Sequence, residues 1–125
     1  MARVLALYEA LNRRDWLALQ RQLSPDLVLR VAGRSPLAGE HRGLGAAIAL
    51  ATKVEGRFLP QESEINELRE ELSGVHATVT VSIQAPGEVF RARLHELFRF
   101  DDDGLIREIW LKAENQKRVD AFLRS

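Results

Sequence analysis

Cysteine is absent from this sequence. Its absence excludes disulfide bridges and thiolate metal sites and gives no sign of an oxidising compartment. Net charge is absent too, because 18 basic and 18 acidic residues cancel. A neutral chain carries no electrostatic signature for nucleic acid or an anionic membrane. Long apolar runs are lacking: the longest, Leu44 to Ala51, contains Gly45 and is far short of a membrane span. Met1-Ala2-Arg3-Val4 leads into no apolar stretch with a small-residue cleavage site, so a cytoplasmic protein is expected. Internal repeats and low-complexity segments are also missing.

What remains is 125 residues with ordinary globular composition. That length fits a single domain over residues 1–125, able to bury roughly two-thirds of its unfolded surface without staples. Val4, Leu5, Leu7, Tyr8 and Leu11 recur at helical spacing. Asn12-Arg13-Arg14 interrupts them, and Asp15 is a good N-cap for a second helix carrying Trp16, Leu17, Leu19 and Leu23. Ser24-Pro25-Asp26 stops that helix, since proline cannot extend it. Leu27 to Val31 reads as a short strand, and Gly33 to Gly43, with three glycines and a proline, as a loop. Leu44, Ala47, Ile48, Ala51 and Val54 mark a third helix ending near Gly56. In Glu62 to Leu72, the spacing of Ile65, Leu68 and Leu72 by itself predicts a helix.

The following segments alternate strictly. Val75, Ala77, Val79, Val81 and Ile83 share one face, and so do Phe90, Ala92, Leu94, Phe98 and Phe100. Ile109, Leu111 and Ala113 continue that face in a last strand, before a short helix with Val119, Phe122 and Leu123. Turns are expected at Ala85-Pro86-Gly87-Glu88 and at Asp101-Asp102-Asp103-Gly104. Pairing about Pro86-Gly87 sets Ile83 against Phe90, Val81 against Ala92, Val79 against Leu94 and Ala77 against Glu96. Pairing about Asp102-Asp103 sets Glu96 against Ile109 and Leu94 against Leu111. Both registers match apolar face to apolar face, as a one-sided sheet requires.

Glu96 breaks this pattern by placing a carboxyl on the buried side of a central strand. Burial raises a carboxyl pKa unless a cation or several donors meet it. A raised value would leave the group able to donate a hydrogen bond or a proton near neutrality. Ala77 beside it is small and leaves room for a ligand. The structural alternative is a Glu96 satisfied by Arg30, Arg107 or a backbone group. Arg107 sits at inner-face parity, whereas Arg30 faces away from Leu29 and Val31 and reads as structural.

Other constellations are weaker. Asp101-Asp102-Asp103 reads as a solvated turn, and His41, His76 and His95 have no zinc spacing, so no metal site is expected. No phosphate loop and no activated nucleophile is recognisable. His95 is expected opposite Trp110 on the outer face, near Leu97 and Val89. Such a patch could be a dimer surface or an ordinary cross-strand pair. His41 could reach the mouth of a pocket.

Three stretches together resemble the SnoaL-like members of the nuclear-transport-factor-2-like superfamily, which also holds the ketosteroid isomerases. They are Leu7-Tyr8-Glu9-Ala10-Leu11-Asn12-Arg13-Arg14-Asp15-Trp16 with Ser24-Pro25-Asp26-Leu27-Val28, then Gly33 to Gly43, then Phe98 to Trp110. The resemblance implies an α+β, cone-shaped, cystatin-like fold, with N-terminal helices packed on a strongly curved antiparallel sheet around a pocket. It turns Glu62 to Leu72 into a strand, and it implies frequent dimers. It places Glu96 where the isomerases keep a protonated aspartic acid that donates to the substrate oxyanion. The isomerase base falls on Val31, which cannot accept a proton. The oxyanion tyrosine falls on Leu7, with Tyr8 one step on and rotated by roughly 100°. Steroid isomerisation by that mechanism is therefore not expected.

Two functions follow as expectations. The first is a cofactor-independent acid–base enzyme of isomerase, cyclase or dehydratase type, with Glu96 as acid and Tyr8 or His41 assisting. Its small, largely apolar substrate would lie against Val31, Ala77, Leu94, Phe98, Ile109, Leu111 and Trp16. The second is a non-catalytic ligand-binding or dimerisation module. For either, a homodimer through His95, Leu97 and Trp110 is expected, with no nucleic acid, membrane, metal or cofactor.

Overall fold

The computed structural model describes residues 1–57 and 61–124. In chain order the elements are α1 (Ala2–Arg13), α2 (Trp16–Gln20), β1 (Leu23–Val31), β2 (Gly39–Arg42), α3 (Leu44–Arg57), β3 (Gln61–Glu71), β4 (Gly74–Ala85), β5 (Glu88–Phe100), β6 (Ile106–Ala113) and α4 (Gln116–Arg124). The strands form one six-stranded sheet in the order β2-β1-β6-β5-β4-β3. All neighbours are antiparallel except β1 and β6, which run parallel. The fold is α+β, with helices against a curved sheet. No helix of the described residues is long and apolar enough to cross a membrane.

The break after α1 is built as expected. Arg14 takes a left-handed conformation at φ 57°, and Asp15 then accepts a bond from Ala18 N at 3.1 Å to cap α2. That second helix is shorter than its apolar pattern implied, because Leu23 already belongs to β1. Pro25 is tolerated within β1 because the β1–β6 register shifts between Leu23 and Val28, where the ladder needs no donor from it. The expected glycine-rich loop is also partly a strand. β2 pairs with β1, setting His41 opposite Leu29, between Gly39 and Gly43 at φ 115° and 89°. α3 runs to Arg57, and the side chain of Val54 lies outside the described residues.

The expected helix over Glu62–Leu72 is overturned: the segment is edge strand β3, as the resemblance implied. The register shifts between Ile65 and Glu67, so that Ile65 lies opposite Val79 and Leu68 opposite Ala77. One extra residue thereby lets positions three apart share the inner face, which imitates helical spacing. A second irregularity lies at the end of the β5–β6 hairpin. Phe100 pairs with Ile106 and Arg99 with Glu108, leaving Arg107 as the extra, exposed residue. Ile106 and Ile109 consequently both point inward.

The β4–β5 register is the expected one, with Ala77 opposite Glu96. The β5–β6 register is corrected by two residues. Glu96 lies opposite Leu111, Leu94 opposite Ala113, Leu97 opposite Trp110 and His95 opposite Lys112. An even shift leaves Glu108 to Ala113 on their expected faces, whereas Arg107, expected at inner-face parity, turns outward. The core joins Val4, Leu7 and Tyr8 of α1 to Val75, Ala77, Val79 and Phe98 of the sheet. Burial of each large apolar side chain contributes about 1.5–3 kcal/mol.

Candidate functional site

Successive pairings define one inner rung of side chains, Leu68, Ala77, Glu96, Leu111 and Val31, across five strands. Glu96 is the only ionisable group on it. It retains 9% exposure, and the buried Tyr8 hydroxyl donates to its Oε2. Oε1 has no hydrogen-bond partner among the described residues and is not sealed from solvent. Tyr8 comes from α1, its ring edge-on to Phe98 with centroids 5.9 Å apart. Val4, Leu7 and Tyr8 lie at spacings of three and four, so the face that anchors α1 also delivers the hydroxyl. Tyr8, rather than Leu7, therefore reaches the acid.

Burial pushes the Glu96 carboxyl up to about 7, and the Tyr8 hydrogen bond pulls in the opposite direction. Tyr8 is held far above its ordinary range, first by burial and then by the charge and hydrogen bond of Glu96. The phenol thus stays protonated as the donor, while the carboxyl changes charge near neutrality. A group balanced in this way can take up or release a proton at low cost.

Neither arginine proposed as a structural partner meets Glu96. Arg30 pairs with Glu108 and lies 3.7 Å from Glu40, on the other side of the sheet. Arg107 is displaced outward by its bulge. His41 Nε2 lies 2.9 Å from the Leu37 carbonyl, so the structure gives it a loop contact and does not bring it to Glu96. Of the apolar candidates, Ala77, Phe98 and Ile109 are covered, whereas Val31, Leu94 and Leu111 are half-buried. The room expected beside Ala77 is closed, since Ala77 is fully covered, while Leu111 and Val31 on the other side of Glu96 stay half-buried. Trp16 is exposed on α2.

The larger described cavity lies on the opposite face of the sheet. It is an open groove of about 790 Å³ whose walls include Arg30, Glu40, Arg69, His76, Leu97 and Trp110. Those six residues form a continuous outer row through the pairings of all six strands. The Arg30 guanidinium stacks 4.8 Å from the Trp110 ring, and Glu108 accepts from both residues. Neither described cavity is lined by Glu96 or Tyr8, and the groups of the outer groove satisfy one another. Sequence reasoning missed Glu108 as their shared acceptor. It also missed buried Asp120, which accepts from Arg34 N at 2.9 Å and Gln116 Nε2 at 3.0 Å. The available signal for Asp120 was an acid beside Val119 and Leu123 in an otherwise amphipathic helix. Among the described residues, no cluster of three or more His, Cys, Asp or Glu could hold a metal ion.

The family model of the SnoaL-like domain matches residues 4–109. A search of curated proteins finds no match. Solved structures similar to the chain include Bal32a from a soil-derived mobile gene cassette. It superposes with a TM-score of 0.92 at 19% identity, covering 98% of this chain and 95% of its own. A cystatin-like protein of unknown function from Xanthomonas campestris gives 0.90 at 24% identity, covering 99% and 97%. IdmH from Streptomyces antibioticus, provisionally assigned as a polyketide cyclase, gives 0.78 at 16% identity, covering 97% and 96%. At these identities the structural likeness establishes the fold, which is cystatin-like and nuclear-transport-factor-2-like.

Proposed function

We propose that this chain, which belongs to the SnoaL-like domain family, binds a small, largely apolar molecule and performs cofactor-independent acid–base chemistry on it. Glu96 is the acid, and Tyr8 holds its Oε2. The molecule lies over Leu94, Leu111 and Val31, the half-buried apolar residues of the inner face. The carrying observation is the buried carboxyl whose second oxygen is free and reachable. A lone carboxyl in an apolar setting is expensive to keep and suits proton transfer to or from a carbonyl compound. The cyclase assignment of IdmH supports an isomerase-, cyclase- or dehydratase-type reaction. The absence of cysteine accords with a cytoplasmic location.

The test is chemical-shift mapping with a panel of small ketones and hydroxyquinones, together with deuterium exchange at their carbon acids. Shifts should centre on Glu96, Leu94 and Leu111, and Glu96→Gln should abolish enzyme-dependent exchange. Exchange that survives Glu96→Gln, or shifts confined to other surfaces, would overturn the reading.

A specific observation favours a second role for the outer face. Trp110 is 44% exposed beside Leu97 and His95, in a groove that carries charges of both signs. A second copy of the chain fits this surface, because its mixed charges favour no partner of a single sign. Sedimentation should show a dimer that Trp110→Glu dissociates. A wild-type monomer at all concentrations would dispose of this role.

A further inference from the structure

Four side chains cross the outer face from β3 toward the end of β6. Arg69 Nη2 lies 2.8 Å from His76 Nδ1, His76 Nε2 lies 3.1 Å from His95 Nδ1, and His95 Nε2 lies 3.1 Å from Glu114 Oε1. The two imidazole rings are tilted 26° from parallel with centroids 5.2 Å apart. Donor chemistry fixes the direction of this chain. A guanidinium only donates, so His76 Nδ1 must accept and its proton must sit on Nε2. That proton is donated to His95 Nδ1, which places the second imidazole's proton on Nε2, directed at a carboxylate. The series runs Arg69 to His76 to His95 to Glu114, and it holds only while both imidazoles are neutral.

Glu71 supplies the alternative. Its Oε1 lies 3.8 Å from His76 Nδ1 and 3.5 Å from Arg69 Nε. A proton added at His76 Nδ1 would face the Arg69 guanidinium, whereas Glu71 can accept from it. The other charged groups around the pair are Glu67 on β3, Arg93 on β5, Lys112 on β6 and Glu114 beyond it, with Arg30 and Glu40 across the groove. We propose that His76 is a proton-operated switch, in which proton uptake transfers Nδ1 from Arg69 to Glu71 and releases the guanidinium into the groove. Acidification then makes the groove more positive by the one added proton, while Arg69, cationic throughout, loses only its hydrogen bond to the imidazole.

Nitrogen-15 NMR of the full chain reads the switch directly. In alkaline solution both histidines should be Nε2–H tautomers, and on acidification the Arg69 side-chain signals should move together with His76 Nδ1. Arg69→Gln should let the Nδ1–H tautomer of His76 appear in alkaline solution. An Nδ1–H tautomer of either wild-type histidine, or Arg69 signals that stay fixed while His76 protonates, would overturn the proposal. A consequence for association rests on the outer-face reading above. Dimer affinity should fall about tenfold or more on acidification and far less in His76→Gln. A monomer throughout would remove the dimer reading and leave NMR to decide the switch.

Discussion

On the inner face of the sheet, one ionisable residue stands on a rung with Leu68, Ala77, Leu111 and Val31. On the outer face, the adjoining row holds Arg69, His76, Arg30 and Glu40 around Leu97 and Trp110. The outer charges find counter-charges within reach, and water screens the rest. Glu96 has a single phenol and no cation, and its carboxyl is pushed up to about 7 by burial. The difference teaches that the raised carboxyl pKa comes from isolation. Charge is plentiful on this sheet, but the carboxyl without a counter-charge is the one that burial displaces from its ordinary range.

The strongest way to break the contrast is to remove the inner support. Phe98→Ala should destabilise the domain by about 3–5 kcal/mol in urea unfolding, because the site is fully covered and leaves a cavity. Next comes the pH dependence of Glu96. Its folded pKa lies above the unfolded value, so the native state holds the proton longer. Its contribution to stability is therefore greatest below about pH 4.5 and declines through about pH 7, by roughly 3 kcal/mol in all. Glu96→Gln should flatten this decline, as seen by comparing unfolding of the two proteins at pH 5 and pH 8. Tyr8→Phe should cost about 1.5–3 kcal/mol above pH 7, where the carboxylate loses its donor, and should move the Glu96 titration upward in carboxyl NMR. The smallest effect belongs to the outer face: Arg69→Gln should change stability by no more than about 1 kcal/mol. A cost there equal to that of Tyr8→Phe would erase the distinction between the faces.

Much of this was legible in the residues. Strict alternation in β4 and β5 placed Ala77 beside Glu96 and put the acid on the inner face, because side-chain parity follows directly from sequence once a turn is located. Asp15 announced its cap. The irregular elements were hidden. An extra residue near Asn66 gave β3 the spacing of a helix, and another at Arg107 supplied one of the two residues by which the β5–β6 register slid, since a bulge leaves no compositional mark. The meeting of Tyr8 and Glu96 spans 88 positions and depends on how α1 is seated, which local pattern does not encode. The resemblance identified the neighbourhood but pointed to Leu7. Closure of the space beside Ala77 was likewise a matter of packing.

The bulge at Arg107 works like a frameshift in a two-letter code. Upstream and downstream of it, inward and outward alternate, but the phase is reset by one. Deleting that single residue would leave the composition almost untouched and would join Ile106 directly to Glu108, restoring regular alternation with Ile109, Leu111 and Ala113 still turned inward. Removing Arg107 and Glu108 together, with Ile106 held in place, would instead turn Ile109, Leu111 and Ala113 toward water and Trp110 toward the core. Next to the bulge, this hairpin should therefore tolerate the loss of one residue better than the loss of two.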